Sequence, residues 1–466
     1  MSKNRILQQS LHYYLILFLV SVFVILFFQG FRDVILSLLL PILDIILVYS
    51  FYQHFRNSNE RTFITVLFVV SLILRIVGVL VMAKILNSYN GMPFVSDKDD
   101  YIYHFASIDI MERWKAFGPG FYDDLQFSSN TYSGFPNFSA ALMCIFGPSY
   151  LVPRFGNAVL STITILMSYG ICKRYSDRDD SRFVASILAF LPFSIVFSSL
   201  QFKDTLLLFF TIWAIHASVN IIQSRHVLAS IVWLVLSYIG ISFGRPAVIV
   251  PLFGALVLMI FIGFFEKNRS GLLFKIVAVL TFVFILLYAY QLLDVFGFEA
   301  MDDYFDTRYQ RITQATLADS NAAIRSTGFA KYLGAPLYIA FGFYLPPPLL
   351  VEVGEETIHY SAFAVLEHFA FIPFIIVGVY YAFVERRTNP VAFFILLVYL
   401  LLRVGQASSL LTSFSPRQSL ATVFVLYFLL PSCRQVKVGW YRAFFFISIV
   451  VLVVYNVVRL YSHGLL

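Results

Sequence analysis

The feature that most constrains this chain is a series of long apolar runs that recur from Leu11 to Leu460. Most of these runs have about 18 residues or more, which lets a helix cross roughly 30 Å of hydrocarbon. Lipid offers no partners to backbone N–H and C=O groups, so a spanning segment must satisfy them internally as a helix. A β-barrel would instead show alternating stretches of about ten residues. The runs therefore predict an all-α, polytopic membrane protein.

The composition agrees with lipid as the main solvent. Hydrophobic residues make up 59% of the chain and charged residues only 13%, whereas soluble domains have about 25% charged residues. The first run, Leu11–Phe28, is too long for a signal-peptide core and lacks a small-residue cleavage site, so we expect it to be a span. We expect one membrane domain over residues 1–466.

About thirteen spans are expected, and short basic loops orient them because Lys and Arg concentrate on the cytoplasmic side. The alternation of these loops places the N-terminus in the cytoplasm, provided that Ala335–Leu350 is re-entrant or interfacial rather than spanning. The expected spans are residues 11–29, 33–53, 62–86, 150–172, 182–200, 204–222, 227–243, 247–265, 271–291, 366–384, 390–405, 411–431 and 441–459.

Two long outer loops follow from this topology, residues 87–149 and residues 292–367. Loops of this length are usually functional. The first loop contains a predicted helix, Asp99–Phe117, with an aromatic and amphipathic character that suits the membrane surface.

Several classes of site are not indicated. Cys144, Cys172 and Cys433 lie far apart without a CxxC pair, which is typical of interior or interface thiols. The chain has no P-loop, HExxH, GxSxG or zinc-binding spacing. The net charge of +7 follows the membrane-flanking loops, so we expect no nucleic-acid partner. The cytoplasmic loops are too short for a nucleotide domain, so an enzyme of this kind would need a donor already in the membrane.

Ionisable residues at membrane depth are costly and therefore mark candidate sites. Here they collect at the outer mouth, beginning with the acidic loop Ser96–Tyr101. Each also has an ordinary structural explanation, such as a solvated loop, a local ion pair or a snorkelling arginine. The candidates outside that loop are Lys203, Asp204, Arg245, Arg403, Arg417, His359, Glu367 and His368.

A series of short motifs runs over about Val95–Asn220. It begins at Ser96-Asp97 and Tyr101, and it ends at Phe197–Asp204; the motifs between them are Tyr132–Pro136, Phe146-Gly147, Arg154–Asn157 and Leu191-Pro192. In this order and topology, the motifs resemble the GT-C superfamily of integral-membrane glycosyltransferases. That class contains the protein O-mannosyltransferases and the aminoarabinose transferases of lipid A.

The resemblance implies transfer of a sugar from a polyprenyl-phosphate donor to a glycan, lipid or protein acceptor on the outer membrane face. It implies that Asp97 is the catalytic base, assisted by Asp100 or Asp99. The other implied site residues are Arg245, Arg417 and Lys203 for the donor phosphate, with Asp204, Tyr101, His104, His359 and His368 also in the site.

Two features depart from that class. The acidic loop follows the third expected span rather than the first. Its carboxylates are spread as Asp97-Lys98-Asp99-Asp100, so the identity of the base stays open among the three. The loop also has the oxygen ligands that divalent cations prefer, so a metal requirement stays open too.

Two other functions fit parts of the pattern. A polysaccharide polymerase or ligase of the O-antigen or capsule type would use the second outer loop, with Arg308, Arg311 and Arg325, and a polyprenyl-diphosphate oligosaccharide. A transporter or flippase would show internal repeats and broken helices at the bilayer midplane. The sequence has no such repeat, and its charges lie at the outer mouth.

Overall fold

A computed structural model of the protein describes residues 45–95, 99–120, 134–245, 248–265, 360–409 and 420–432, with single positions at 443, 446, 447 and 450. Within these ranges the chain is helical and has no strand. After a helical segment over residues 45–55, the described helices are α1 Glu60–Asn90, α2 Asp99–Phe117, α3 Gly134–Phe146, α4 Leu151–Cys172, α5 Arg178–Phe190, α6 Pro192–Ser198, α7 Asp204–Ile222, α8 Val227–Ser242, α9 Ile249–Phe265, α10 Tyr360–Val384, α11 Pro390–Ser409 and α12 Leu420–Tyr427, followed by a 3-10 turn at Leu430–Ser432.

Three of the described helices are long and apolar enough to cross a membrane: Glu60–Ser88 within α1, and the whole of α4 and α7. Shorter apolar helices or helical segments lie in α3 and in α8 to α12. The chain is therefore a membrane protein. The total of thirteen spans and their orientation stay predictions, since expected spans such as 11–29 and 271–291 lie outside the described residues.

Several predicted bounds agree with the helices. The expected spans 150–172 and 204–222 match α4 and α7 to within one residue, and the predicted surface helix has the bounds of α2. Helix α10 begins at Tyr360, earlier than the expected 366, and it therefore includes Glu367 and His368. Helix α3 lies in the first long loop and was not expected as a helix.

The expected single span 182–200 is wrong, because the chain breaks there into α5 and α6. Helix α5 ends at Phe190, and Pro192 is the first residue of α6. Proline has no N–H to donate and clashes with the preceding turn, so a continuous helix would lose a backbone hydrogen bond at this point. The last carbonyls of α5 then need other donors.

Arg75, near the middle of α1, supplies such a donor. Its side chain is fully buried, and its Nη1 donates to the Ala189 carbonyl oxygen at 3.0 Å. Its Nε donates to Ser161 Oγ at 2.8 Å, and its Nη2 donates to Ser194 Oγ at 2.9 Å. One guanidinium thus joins α1, α4, α5 and α6 around the helix break.

Neighbouring helices pack around the break between α5 and α6. Helix α1 packs on α4, α5 and α6, while α7 lies against both α4 and α8. A Cβ at Gly78 of α1 would stand 2.5 Å from Ser199 Oγ, so glycine is needed for α6 to approach this closely. Helix α2 packs on α3, and α3 packs on α4, which connects the first loop to the membrane helices.

Glu60, the first residue of α1, forms ion pairs with basic residues of the loop after α4 and of α5. Lys173 Nζ lies 2.6 Å from Glu60 Oε1, and Arg178 and Arg182 each approach Oε2 at 3.7 Å. Arg182 also donates through Nη1 to the carbonyl oxygens of Phe55 and Arg56, both at 2.8 Å. These contacts fix the segment before α1 against α5.

Replacing Arg75 by methionine should lower the stability of the protein. The change leaves the Ala189 carbonyl and two serine hydroxyls without their donor in a buried site, which should cost about 2–4 kcal/mol. Thermal unfolding in detergent micelles, followed by tryptophan fluorescence, measures this as a lower Tm. Arg61→Met is the control because Arg61 is exposed on the same helix. Equal melting of both variants would contradict the role assigned to Arg75.

Candidate functional site

The segment Gly91–Val95, between α1 and α2, is the platform from which the acidic loop leaves α1. Gly91 ends α1 with φ +67°, a left-handed conformation that glycine adopts without strain. Asn90 Nδ2 then donates to the carbonyl oxygens of Phe94 at 2.8 Å and Val95 at 3.1 Å. The chain leaving α1 is therefore held back against the end of its own helix.

Asp100 closes the loop from the other side. Its side chain is fully buried, its Oδ2 accepts the Val95 N–H at 2.6 Å, and its Oδ1 accepts the Tyr101 N–H at 3.1 Å. Burial raises the pKa of Asp100, although these N–H groups and the Arg154 charge act in the opposite direction. Both carboxylate oxygens are thus used in holding backbone, which is a positioning role.

The three candidate bases therefore differ in their surroundings. Asp97 lies outside the described residues, but its neighbours Val95 and Asp99 are on either side of the contact that Asp100 makes. Asp99 is the first residue of α2 and is half-buried. The contact between Val95 and Asp100 therefore brackets residues 96–98, which include Asp97 and lie outside the described residues.

Arg154 lies against Pro93 and Phe94, shortly before residues 96–98 in the chain, and was not among the site residues predicted from the sequence. It comes from the first turn of α4, is fully buried, and donates through Nη2 to the Pro93 carbonyl oxygen. Its Cζ lies 5.9 Å from the centroid of the Phe94 ring and 5.4 Å from that of Tyr150. Its Nε and Nη1 have no hydrogen-bond partner among the described residues. An arginine so close to the start of an apolar span was the available signal.

His104, one turn along α2 from Asp100, shares this environment. Its ring is buried 5.2 Å from that of Phe94, and its Nδ1 has no hydrogen-bond partner in the described part of the chain. Burial and then the Arg154 charge lower the pKa of His104 to about 4, and Gln201 opposes this. The imidazole is therefore neutral at ordinary pH.

Gln201 was also missed, because it lies in the turn between α6 and α7 and belongs to no recognised motif position. It is fully buried, and its side chain makes a hydrogen bond to His104 that acts to raise the pKa of that imidazole. Asn157, one turn after Arg154 on α4, holds this turn by donating through Nδ2 to Leu200 O at 2.9 Å and Phe202 O at 3.0 Å. Helix α4 thus positions both Arg154 and Gln201.

The same turn leads directly to Lys203 and Asp204, both buried at the start of α7. Arg245, after α8, places Nη2 at 3.6 Å from Asp204 Oδ1. The structure thus brings two predicted candidates from separate hairpins together as an ion pair. A Cβ at Gly134 would collide with Phe243, so the start of α3 approaches the same end of α8.

The remaining predicted site residues are either partly exposed or not described by the structure. Tyr101 is 37% exposed, and its ring lies 5.6 Å from that of Phe94 and 4.5 Å from that of Phe105. His359 and Arg417 lie outside the described residues. His368 lies within α10, and the structure does not describe its side chain.

The buried polar atoms at this end of α4 indicate what the site can do. A buried polar group without a hydrogen bond costs about 1–3 kcal/mol, and such groups call for an explanation in a native protein. Arg154 and His104 supply such atoms in one place, next to the Gly91–Val95 segment that leads to Asp97. This arrangement suits an oxygen-rich ligand that accepts hydrogen bonds from a guanidinium.

No group of three or more His, Cys, Asp or Glu side chains that could hold a metal ion occurs among the residues that the structure describes. Residues 96–98 lie outside that search, and comparing activity with and without EDTA tests for a divalent cation at the acidic loop.

No protein-family model matches the chain, and no curated protein matches it. Solved structures of the Archaeoglobus fulgidus oligosaccharyltransferase are similar at low level. The apo form matches with 13% identity and a TM-score of 0.49, over 86% of this chain and 56% of that one. The complex with an inhibitory peptide and a dolichol-phosphate matches with 14% identity and a TM-score of 0.47, over 87% and 56%.

A third structure of that oligosaccharyltransferase, tethered to an acceptor peptide, has a TM-score of 0.40 and 13% identity, over 84% of this chain and 54% of that one. The chain thus spans a little over half the length of these proteins. Similarity at this level identifies neither the family nor the activity of the chain.

The low pKa of His104 predicts a loss of stability in acid. Between about pH 6.5 and pH 4 the unfolded chain takes up a proton that the folded protein does not, so the unfolding free energy falls as pH falls through this window. The full difference is about 3 kcal/mol. The Tm of wild type and His104→Phe, measured from pH 7 to pH 4.5, should fall more steeply for wild type.

The raised pKa of Asp100 acts in the opposite direction, but it is present in both proteins and leaves the difference in slope intact. Equal slopes would show that His104 is not held neutral by this environment.

Proposed function

We propose that this protein is a membrane glycosyltransferase that moves a sugar from a polyprenyl-phosphate donor to an acceptor on the outer membrane face. The observation that carries the proposal is the fully buried Arg154, with open donor positions, in contact with the Gly91–Val95 segment that precedes Asp97. The motif resemblance supports the reaction class, and the apolar helices support a donor held in the membrane.

In the proposed reaction, a carboxylate activates the acceptor and arginines bind the leaving phosphate. The Asp97 carboxylate takes the proton of the acceptor hydroxyl as that oxygen forms a bond to the anomeric carbon. The bond from this carbon to the phosphate oxygen breaks at the same time, and the electron pair leaves with the polyprenyl phosphate. The configuration at the anomeric carbon is inverted, and no covalent intermediate between sugar and protein forms. General-base assistance of this kind contributes about 10²–10⁴-fold.

Arginine is the side chain best suited to the leaving phosphate, because its planar fork matches two phosphate oxygens. We assign this contact to Arg245 with Arg417, as the motifs imply, and we add Arg154 on account of its open N–H groups. Stabilising charge that develops on the leaving group is often the largest catalytic contribution. Asp204 then orients Arg245 through their ion pair.

Asp100 has a positioning role in this proposal. Both of its oxygens accept backbone N–H groups, so it has less capacity to accept a proton from a substrate than Asp97 has. Its loss would release the Val95 and Tyr101 backbone rather than remove the base. The proposal therefore ranks Asp97 first among the three carboxylates.

A matched set of carboxamide variants tests this ranking. Asp97→Asn should lower kcat by about 10²–10⁴-fold with unchanged membrane expression. Asp100→Asn keeps one acceptor oxygen and should cost less, with KM affected as well as kcat. The measurement is sugar transfer by the purified protein in nanodiscs, with a panel of polyprenyl-phosphate sugars, with and without EDTA.

Asp109→Asn is the control, because Asp109 is a partly exposed carboxylate of the same helix paired with Arg113 at 3.0 Å. Unchanged activity in Asp97→Asn would refute the assignment of the base. Consumption of polyprenyl-diphosphate oligosaccharides alone would instead identify a polymerase or ligase. Absence of any product, with transbilayer movement of the lipid donor, would identify a flippase.

A further inference from the structure

A second group of polar side chains lies at the opposite end of α4 and α7 from Arg154. Arg174 lies two residues after the end of α4. His216 and Asn220 lie four residues apart on one face of α7, and Gln223 is the C-cap of that helix, three residues after Asn220. Arg225 follows in the turn before α8. Neither the proposed transfer reaction nor the motifs use these residues.

The two helices are joined at this point by a specific contact. Gln223 Nε2 donates to the Arg174 carbonyl oxygen at 2.9 Å. A Cβ at Gly170 would stand 3.8 Å from His216 Nε2, so α4 passes close to the imidazole. Gln223 Oε1 and Asn220 Oδ1 are buried acceptors without a hydrogen-bond partner among the described residues. A ligand with hydroxyl donors would satisfy both.

Two arginines lie near each other beside these acceptors, because Arg225 follows Gln223 by two residues and Gln223 is hydrogen-bonded to the Arg174 carbonyl. Burial and then the charge of Arg225 lower the pKa of Arg174, so the charged neighbour that shifts it is a second cation. The cations nearby behave differently, since Lys173, Arg178 and Arg182 all converge on Glu60. An anion between Arg174 and Arg225 would remove the repulsion.

The turn that presents Arg225 is held in an unfavourable conformation. Ser224 and His226, on either side of it, have φ values of +55° and +45°, which residues with a Cβ adopt at a cost. The Ser224 N–H donates to Ile221 O at 2.9 Å, and the Arg225 N–H donates to Asn220 O at 2.8 Å. These bonds fix the turn and the position of Arg225 in spite of the strain.

The surface next to this turn is apolar. On α8, Leu228 is 75% exposed and Val232 is 57% exposed, so a lipid-facing stripe begins immediately after Arg225. The ends of membrane-spanning helices such as α4 and α7 lie at the level of lipid headgroups. A ligand with both a charged head and acyl chains fits this juxtaposition.

We propose that Arg174 and Arg225 bind the phosphodiester of an anionic phospholipid whose headgroup hydroxyls donate to Asn220 Oδ1 and Gln223 Oε1. Phosphatidylglycerol has this chemistry. The site is separate from the acidic loop and does not depend on the proposed transfer reaction.

The test uses the full-length protein in phosphatidylcholine nanodiscs, with binding of phosphatidylglycerol measured by native mass spectrometry. Arg225→Ala should weaken binding by about fivefold, since a basic residue near an anionic headgroup contributes about 1 kcal/mol. The double variant with Arg174→Ala should weaken it further. Asn220→Ala should weaken binding of phosphatidylglycerol but not of phosphatidic acid, which has no headgroup hydroxyl of this kind.

Arg61→Ala is the matched control, as an exposed arginine at the start of α1. Arg225 is itself exposed, so its variant keeps the test valid if Arg174→Ala does not fold. Equal loss in the Arg61 variant would show general surface charge and overturn the site. Displacement by glycerol 3-phosphate at the same concentration would show a free phosphate ligand instead. Equal effects of Asn220→Ala on both lipids would overturn the assigned hydroxyl contacts.

Discussion

The architecture around the site depends on one guanidinium, that of Arg75, at the break between α5 and α6. An arginine inside a span is expensive in lipid unless its N–H groups have partners, and here the break supplies them. The Ala189 carbonyl, Ser161 and Ser194 each accept from it. The break and the arginine therefore satisfy each other, because each alone would leave buried polar groups unpaired.

The break has a consequence for the site. Helix α6 ends at Ser198, and the chain then turns through Ser199–Lys203 before α7 begins. Gln201 and Asp204 lie beside the start of α4 because α6 is short. Asn157 of α4 also holds the turn by donating to the carbonyl oxygens of Leu200 and Phe202. The polar groups of the site thus follow from backbone that a regular span would not provide.

Features with a local cause could be predicted from the sequence. The bounds of α2 and α7 follow from an acidic first turn and a continuous helical pattern, Asp99 and Asp204 each being the first helical residue. The break at Pro192 has an equally local cause, yet the surrounding apolar residues hid it within a single expected span. Helix α3 was missed because it lies in a loop whose motif was read without its secondary structure.

The relations between candidate residues needed the structure. Three carboxylates within four positions look equivalent in the sequence, but the Val95 and Tyr101 N–H groups both engage Asp100. Arg154 had no special status within its motif until its carbonyl contact and its open N–H groups were visible. These are contacts between residues distant in sequence, and neither periodicity nor spacing carries information about them.

Along α4, buried polar atoms without a hydrogen-bond partner among the described residues occur near the start of the helix and are absent from its middle. In the middle of α4 every buried hydroxyl has a partner: Ser161 accepts from Arg75, and Thr162, Thr164 and Ser168 donate to carbonyls one turn back. The open atoms lie on Arg154 and Asn157 at one end, and on Asn220 of α7 and its C-cap Gln223, which meets Arg174, at the other. Loose packing would scatter such atoms along the helix. The open atoms of α4 thus lie at the end where the proposed donor phosphate would approach, and such atoms also occur elsewhere in the described part of the chain, as on Ser71 and Tyr238.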